Sequence, residues 1–186
     1  MGYGLDEYNY LSSNDLPENE YNALLYSSIL LFIAGGHYAV LDVNQPSITS
    51  EIIIRYSDWL LTTPLLLLVV TSLYNIDYTI TALLIIFDVL MIIFGIMYES
   101  TNNIIWWITS FIFYFMIIYL LWTNLIEKDL LYMFFIPGWS LYGLATLRPR
   151  EERLLYYNFL DIYNKLFFAM VIRNKIVKNV EYRRKV

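Results

Sequence analysis

Cysteine is absent from this sequence and histidine occurs once. The first absence removes disulfides, thiolate metal sites and cysteine nucleophiles. The second leaves a histidine-cluster metal site without its ligands. Charge is scarce as well: 16% of residues are Asp, Glu, Lys or Arg, against about 25% in an ordinary soluble domain, so the chain cannot clothe a water-facing surface of its own. Residues 1–20 contain five acidic residues and no basic one, which excludes a signal peptide with a basic leading region. Enzymatic turnover and nucleic-acid binding are not expected, and no metal is.

What is present is apolar. Hydrophobic residues make up 59% of the chain, including 18 Tyr, 11 Phe and 5 Trp, and they gather into runs of the length that crosses a bilayer, about 20 residues. Residues 21–41, 59–76, 100–126 and 130–147 contain no Asp, Glu, Lys or Arg within the apolar run. Residues 78–98 carry only Asp88, and residues 154–172 carry Asp161 and Lys165. Six spans joined by short polar links predict an all-α transmembrane helical bundle, with residues 1–20 as an acidic N-terminal segment, 21–178 as the membrane domain and 179–186 as a basic tail. Six of the twelve basic residues fall in the last 14 positions, and cytoplasmic flanks are rich in Lys and Arg. The C-terminus is therefore expected in the cytoplasm and the Arg148–Glu152 link outside.

An ionisable residue at the centre of a span costs about 2.5–3.5 kcal/mol on insertion scales, so each one calls for a function. Lys165 lies midway along the last span, with Asp161 four and Asn158 seven residues before it, a spacing that places all three on one helix face. Two readings stand: a buried ion pair that fixes helix register, or a lysine whose amine condenses with a carbonyl compound, Asp161 serving as counter-ion. A second stripe, Glu51, Arg55, Asp58 and Thr62, follows spacings of four, three and four. Arg55 and Lys165 balance Asp58 and Asp161 to zero, which is far cheaper to bury than any one of them alone.

The run of residues 55–68, RYSDWLLTTPLLLL, resembles the third-helix signature of microbial rhodopsins, the bacteriorhodopsin-like retinal proteins. Companions follow in that family's order: Asp88, Met91 and Gly95; then Trp106, Trp107 and Ser110; then Trp139 and Tyr142; then Asp161 and Lys165. Asn158 and the Ile/Asn/Tyr-rich composition are similar to the rhodopsins of giant viruses. The resemblance implies all-trans retinal carried on Lys165 as a protonated Schiff base. It implies Asp58 as primary proton acceptor, Asp161 as second counter-ion, Arg55 completing the set and Thr62 hydrogen-bonded to Asp58. Trp59, Trp139 and Tyr142 would clamp the polyene, with Met91, Gly95 and Trp107 around the ring end, and Asp88 would bond a hydroxyl such as that of Thr63.

Three departures from the family pattern bear on function. Val69 stands eleven residues after Asp58, where the pumps carry a carboxylate that returns the proton, so slow recovery after light is expected. Asn164 precedes the lysine where a small apolar residue is common. Only one span precedes the signature, so the first of the usual seven helices is expected to be missing, either through truncation or with a neighbouring subunit of a homo-oligomer covering the gap. Glu151 and Glu152 match a proton-release pair only loosely. With Glu51, Asn158, Asn164 and Asp88 as candidate ion-pathway groups, the expected function is light-gated ion conductance. A slow outward proton pump without a cytoplasmic donor, or a sensor signalling to a partner, are the alternatives.

Overall fold

The computed structural model describes residues 16–44 and 48–185, the side chains of residues 41–51 excepted, so Glu51 falls outside the described side chains. Among the described residues all regular structure is helical. Helices α1 (Glu18–Asn44), α2 (Ile48–Leu73), α3 (Tyr78–Thr101) and α4 (Ile104–Asn124) are followed by α5, a π-helical stretch Leu131–Trp139 continuing as Ser140–Ala145. The last helix, α6, runs through Arg150–Asp161, the π-helical turn Ile162–Phe167 and Phe168–Lys185. Among the described residues the bundle thus has six helices, four of them long and apolar enough to span a membrane on their own; α5 is shorter, and α6 carries the buried charges.

Local chemistry explains the boundaries. Pro17 precedes α1 and the acidic Glu18 and Glu20 occupy its first turn, where the helix dipole favours negative charge. Asp77 caps α3 by accepting the Thr79 N–H at 2.8 Å, and Asn103 caps α4 through the Ile105 N–H at 3.0 Å. Asn75 and Asn102, with φ of 51° and 53°, take the left-handed turn that ends a helix. Pro137 lacks an N–H and so cannot donate to the backbone ladder of this π-helical stretch. The Tyr163 hydroxyl of α6 donates to the Met133 carbonyl at 2.5 Å, which ties α5 to α6 at this irregular backbone.

The helices alternate in direction. Asn19 at the start of α1 donates to the Leu73 carbonyl at the end of α2, 3.2 Å away, and Glu20 holds Arg183 near the end of α6 at 2.6 Å. This is the tail end of the bundle. Toward this end Leu66, Leu67, Val69, Val70, Phe134, Phe135, Phe168, Ile172 and Ile176 pack into one apolar cluster. A smaller cluster of Tyr56, Trp59, Ile92, Ala145 and Tyr157 fills the opposite end. Outward-facing positions are apolar too, with Phe32 84% and Phe115 62% exposed, as a lipid-facing surface requires. The functional site lies between the two clusters.

Candidate functional site

Lys165 sits in the π-helical turn of α6, 3% exposed. Such turns displace the backbone ladder by one residue and recur at functional sites. Its ammonium forms ion pairs with Asp58 of α2 and, at 3.2 Å, with Asp161 one turn earlier. Asp161 is further held by three donors: Tyr38 OH at 2.6 Å, Tyr142 OH at 2.5 Å and Trp59 Nε1 at 3.1 Å. Arg55, also buried, donates through Nη2 to Asn158 Oδ1 at 2.9 Å. Two cations and two carboxylates therefore share one desolvated region, each carboxylate within reach of a cation. That closure makes the charges tolerable, because removing one partner from a buried pair costs about 3–5 kcal/mol.

A cavity of about 720 Å³, its open mouth included, begins at Lys165 and runs between α2, α3, α4 and α5. Tyr56, Trp59, Met91, Phe111, Trp139 and Tyr142 are among the residues of its wall. Flat aromatic faces around an apolar cavity suit a rigid conjugated chain. A buried amine paired with carboxylates in its wall suits an imine-linked cation there. The residues present therefore fit retinal.

A sequence model of bacteriorhodopsin-like proteins matches residues 8–179. The chain belongs to this family. Three solved structures show the same fold. The rhodopsin of Exiguobacterium sibiricum is 27% identical with a TM-score of 0.77, over 91% of this chain and 88% of that one. A blue light-absorbing proteorhodopsin from Med12 is 22% identical with a TM-score of 0.74, over 90% and 86%. The viral rhodopsin OLPVRII is 22% identical with a TM-score of 0.77, over 83% and 81%. No curated protein matches the chain. As a bacteriorhodopsin-like protein, the chain is an integral multi-pass membrane photoreceptor whose cofactor is retinal bound through a lysine Schiff base.

Within this rhodopsin the remaining singled-out residues take definite places. Thr62 is fully buried and donates at 2.8 Å to the backbone carbonyl of Asp58, so its bond reaches the main chain and not the carboxylate. Thr63 donates to Asp88 Oδ2 at 2.7 Å while lining the cavity, and Asp88 Oδ1, buried, has no hydrogen-bond partner among the described residues. Gly95 and Asn164 line the cavity as well. Trp107 stands behind that wall, donating from Nε1 to the Gly143 carbonyl at 2.9 Å and packing on Phe111 with ring centroids 4.3 Å apart. Val69 is fully buried in the tail-end cluster.

Three residues of the site were not singled out from sequence. His37 on α1 places Nδ1 3.5 Å from Asp58 Oδ1 and 3.0 Å from the Ile33 carbonyl, which requires the proton on Nδ1, and its Nε2 lies 3.4 Å from Ser57 Oγ. Tyr38, its neighbour, reaches Asp161. Tyr56 lines the cavity and carries its hydroxyl to Glu99 at 3.0 Å. The adjacent pair His37-Tyr38 could have been noticed as the polar interruption of an apolar span. Nothing local ties that pair to α2 or α6.

Proposed function

We propose that Lys165 is the retinal-bearing lysine, that light drives proton transfer through Asp58 toward the end opposite the tail, and that the tail faces the cytoplasm. The observation that carries this reading is the ion pair of Lys165 with Asp58 in the wall of the aromatic cavity. The cofactor supplies light absorption, an isomerising double bond and a cationic nitrogen whose charge depends on a proton. The protein does the rest. Trp59, Trp139 and Tyr142 restrict which way a bound chain can turn, and Asp58 holds the incoming proton on its carboxylate. Asp161, held in place by hydrogen bonds from Tyr38, Tyr142 and Trp59, stands beside the cation at Lys165. Return from the cytoplasmic side must pass the cluster of Leu66, Val69, Val70, Phe168 and Ile172, which offers no carboxylate.

A second reading, gated conductance, is favoured by one feature. A polar cavity of about 830 Å³ opens at the tail end among α1, α2 and α3, lined by Asn19, Asn22, Thr71, Ser72 and Thr81 and reaching Leu68. Along α2, the apolar run Leu65–Val70 lies between its Thr71 wall and Thr62. Photocurrents under voltage clamp decide between the two. Current of one sign at all voltages supports outward transfer, a reversal potential that follows the ion gradient supports conductance, and no current leaves light sensing. Lys165→Ala should form no pigment, and a coloured protein from that variant would overturn the lysine assignment.

A further inference from the structure

Retinal is apolar and partitions into a bilayer rather than into water, so a cavity sealed toward both aqueous sides is filled from the side. Leu66, Phe134, Phe135 and Phe168 pack toward the tail end, and Tyr56, Trp59 and Tyr157 toward the other. Most seams between the surrounding helices are fastened as well. Thr63–Asp88 at 2.7 Å and Tyr56–Glu99 at 3.0 Å join α2 to α3, and Glu99, 2% exposed on its side chain, also accepts from Tyr157 of α6 at 2.7 Å. Ser110 of α4 donates to the Met91 carbonyl of α3 at 2.8 Å, and Phe94 of α3 stacks on Phe113 and Trp106 of α4 at 5.6 and 5.7 Å between ring centroids. Tyr142–Asp161 and Tyr163–Met133, both 2.5 Å, join α5 to α6.

The seam between α4 and α5 is built differently. Trp107, Phe111 and Tyr114 share a face of α4, and Ile136, Ser140 and Gly143 share a face of α5, each set at spacings of four and three. At one end Trp107 Nε1 donates to the Gly143 carbonyl at 2.9 Å. At the other, the Tyr114 hydroxyl lies 3.1 Å from the Ile136 carbonyl and 2.7 Å from Ser140 Oγ. These ties are about 10 Å apart along α4, and among the described residues no hydrogen bond joins the two helices between them. The Phe111 ring fills that interval. It lies against Gly143 so closely that a Cβ there would collide with it, so the ring closes on bare backbone. On one side Phe111 lines the cavity; on the other it meets Phe115, 62% exposed, at 6.1 Å between centroids. Exposed Ile108, Ile112 and Leu144 surround the spot with a lipid-facing surface. Phe111 is held by ring contacts, Trp107 at 4.3 Å and Tyr114 at 5.6 Å between centroids, and it can swing aside without breaking a hydrogen bond.

We propose that the seam between α4 and α5 is the portal through which retinal enters from the bilayer, with Phe111 as its gate. The aldehyde end passes first, toward Lys165 across the cavity, and the ring of Phe111 closes behind the cofactor. Entry is non-covalent and comes before any reaction at the amine. The proposal rests on the retinal cofactor and on no particular mode of ion movement.

The test uses the full-length chain made without retinal, in lipid vesicles, mixed with vesicles that carry all-trans retinal or all-trans retinol. Retinal is followed by pigment absorbance. Retinol has no aldehyde, so it reports entry alone, through quenching of tryptophan fluorescence. Phe111→Ala should speed both signals about tenfold, because the ring contacts need no longer be broken, and Phe111→Leu should speed them less. Gly143→Leu fills the seam with a side chain and should slow both. Phe94→Ala loosens the seam between α3 and α4 and should change neither. Rates equal to wild type in both Phe111 variants overturn the proposal, and so does a greater acceleration in Phe94→Ala than in Phe111→Ala. The two Phe111 variants decide the matter even if Gly143→Leu does not fold. Retinol entry without pigment formation in wild type would defeat the assignment of Lys165 and leave the portal standing.

Discussion

Tyr38 donates its hydroxyl from α1 to Asp161 Oδ2 on α6 at 2.6 Å. With Tyr142 and Trp59 on the other oxygen, it draws carboxylate charge away from the cation at Lys165. Tyr38→Phe should therefore strengthen the pull of Asp161 on that cation and move the visible absorbance to the blue, by on the order of 1–2 kcal/mol in transition energy. Asp58→Asn should move it to the red, because a lost counter-ion favours the charge-delocalised excited state. Spectra of the two purified variants check the pair of signs. A red shift in Tyr38→Phe would mean that the bond does not tune Asp161.

Much of this site can be read along single helices. Arg55, Asp58 and Thr62 share a face of α2, and Asp161 and Lys165 share a face of α6, so spacing alone brought each group together. Their meeting across helices follows from charge balance, since neither set can be buried by itself. His37, Tyr38 and Glu99 were illegible for one common reason: each acts on a partner 21 or more positions away in the sequence. The packing of α1 on α2 and α6 decides the register of the first two. Glu99 gives no signal of burial, because a lone acid at the end of an apolar run normally faces water. Trp107 had the right helix and the wrong face, directed to the Gly143 carbonyl behind the cavity wall.

Val69 is fully buried in an apolar cluster between Asp58 and the tail end. Recovery after a flash should accordingly be slow and should depend on the bulk pH. Val69→Asp places a carboxyl in that layer and should speed recovery at least about tenfold, within the usual range for a positioned proton-transfer group. Flash photolysis of both proteins across a pH series is the measurement. Equal rates would locate the return path elsewhere.

Gly138 on α5 lies against the side chain of Asn164, so closely that a Cβ there would collide with the amide. Gly138→Ala should cost about 1–3 kcal/mol through overpacking and lower the pigment yield, since Asn164 borders the cavity and precedes Lys165. Gly138→Ala combined with Asn164→Ala should recover most of that loss, the coupling expected of residues in direct contact. Additive losses in thermal unfolding of the pigment would contradict the contact.

At the tail end, Lys175 is ion-paired with Glu127 and, at 3.1 Å, with Asp129, and its Nζ lies 5.3 Å from the Tyr74 ring centroid. Burial raises the Asp129 carboxyl, but the bonds from Lys175, the Leu130 N–H and Tyr74 outweigh it and hold the group below its usual range. Burial likewise lowers Lys175, and its bonds to Glu127, Tyr74 and Asp129 raise it overall. A lowered carboxylate stabilises the fold above its unfolded pKa, about 3.9, and loses that contribution as pH falls through its folded value. A raised lysine keeps its contribution throughout the acidic and neutral range and loses it only in strong alkali. Lys175→Met should thus cost at most about 1 kcal/mol near neutrality, given the partial exposure of the cluster. The difference from wild type should shrink below about pH 4. Thermal unfolding at several pH values would show whether the gap closes.

The grip of Glu20 on Asn179 and Arg183 has a practical side. Because that carboxylate is 4% exposed on its side chain, shortening the polypeptide before Asn179 would strand a buried negative group at the first turn of α1. The basic residues near the carboxyl terminus therefore belong to the folded unit as fully as any membrane-spanning stretch. Affinity handles and fluorescent fusions are best placed beyond Arg183, and the start of α1 lies at the same end of the bundle.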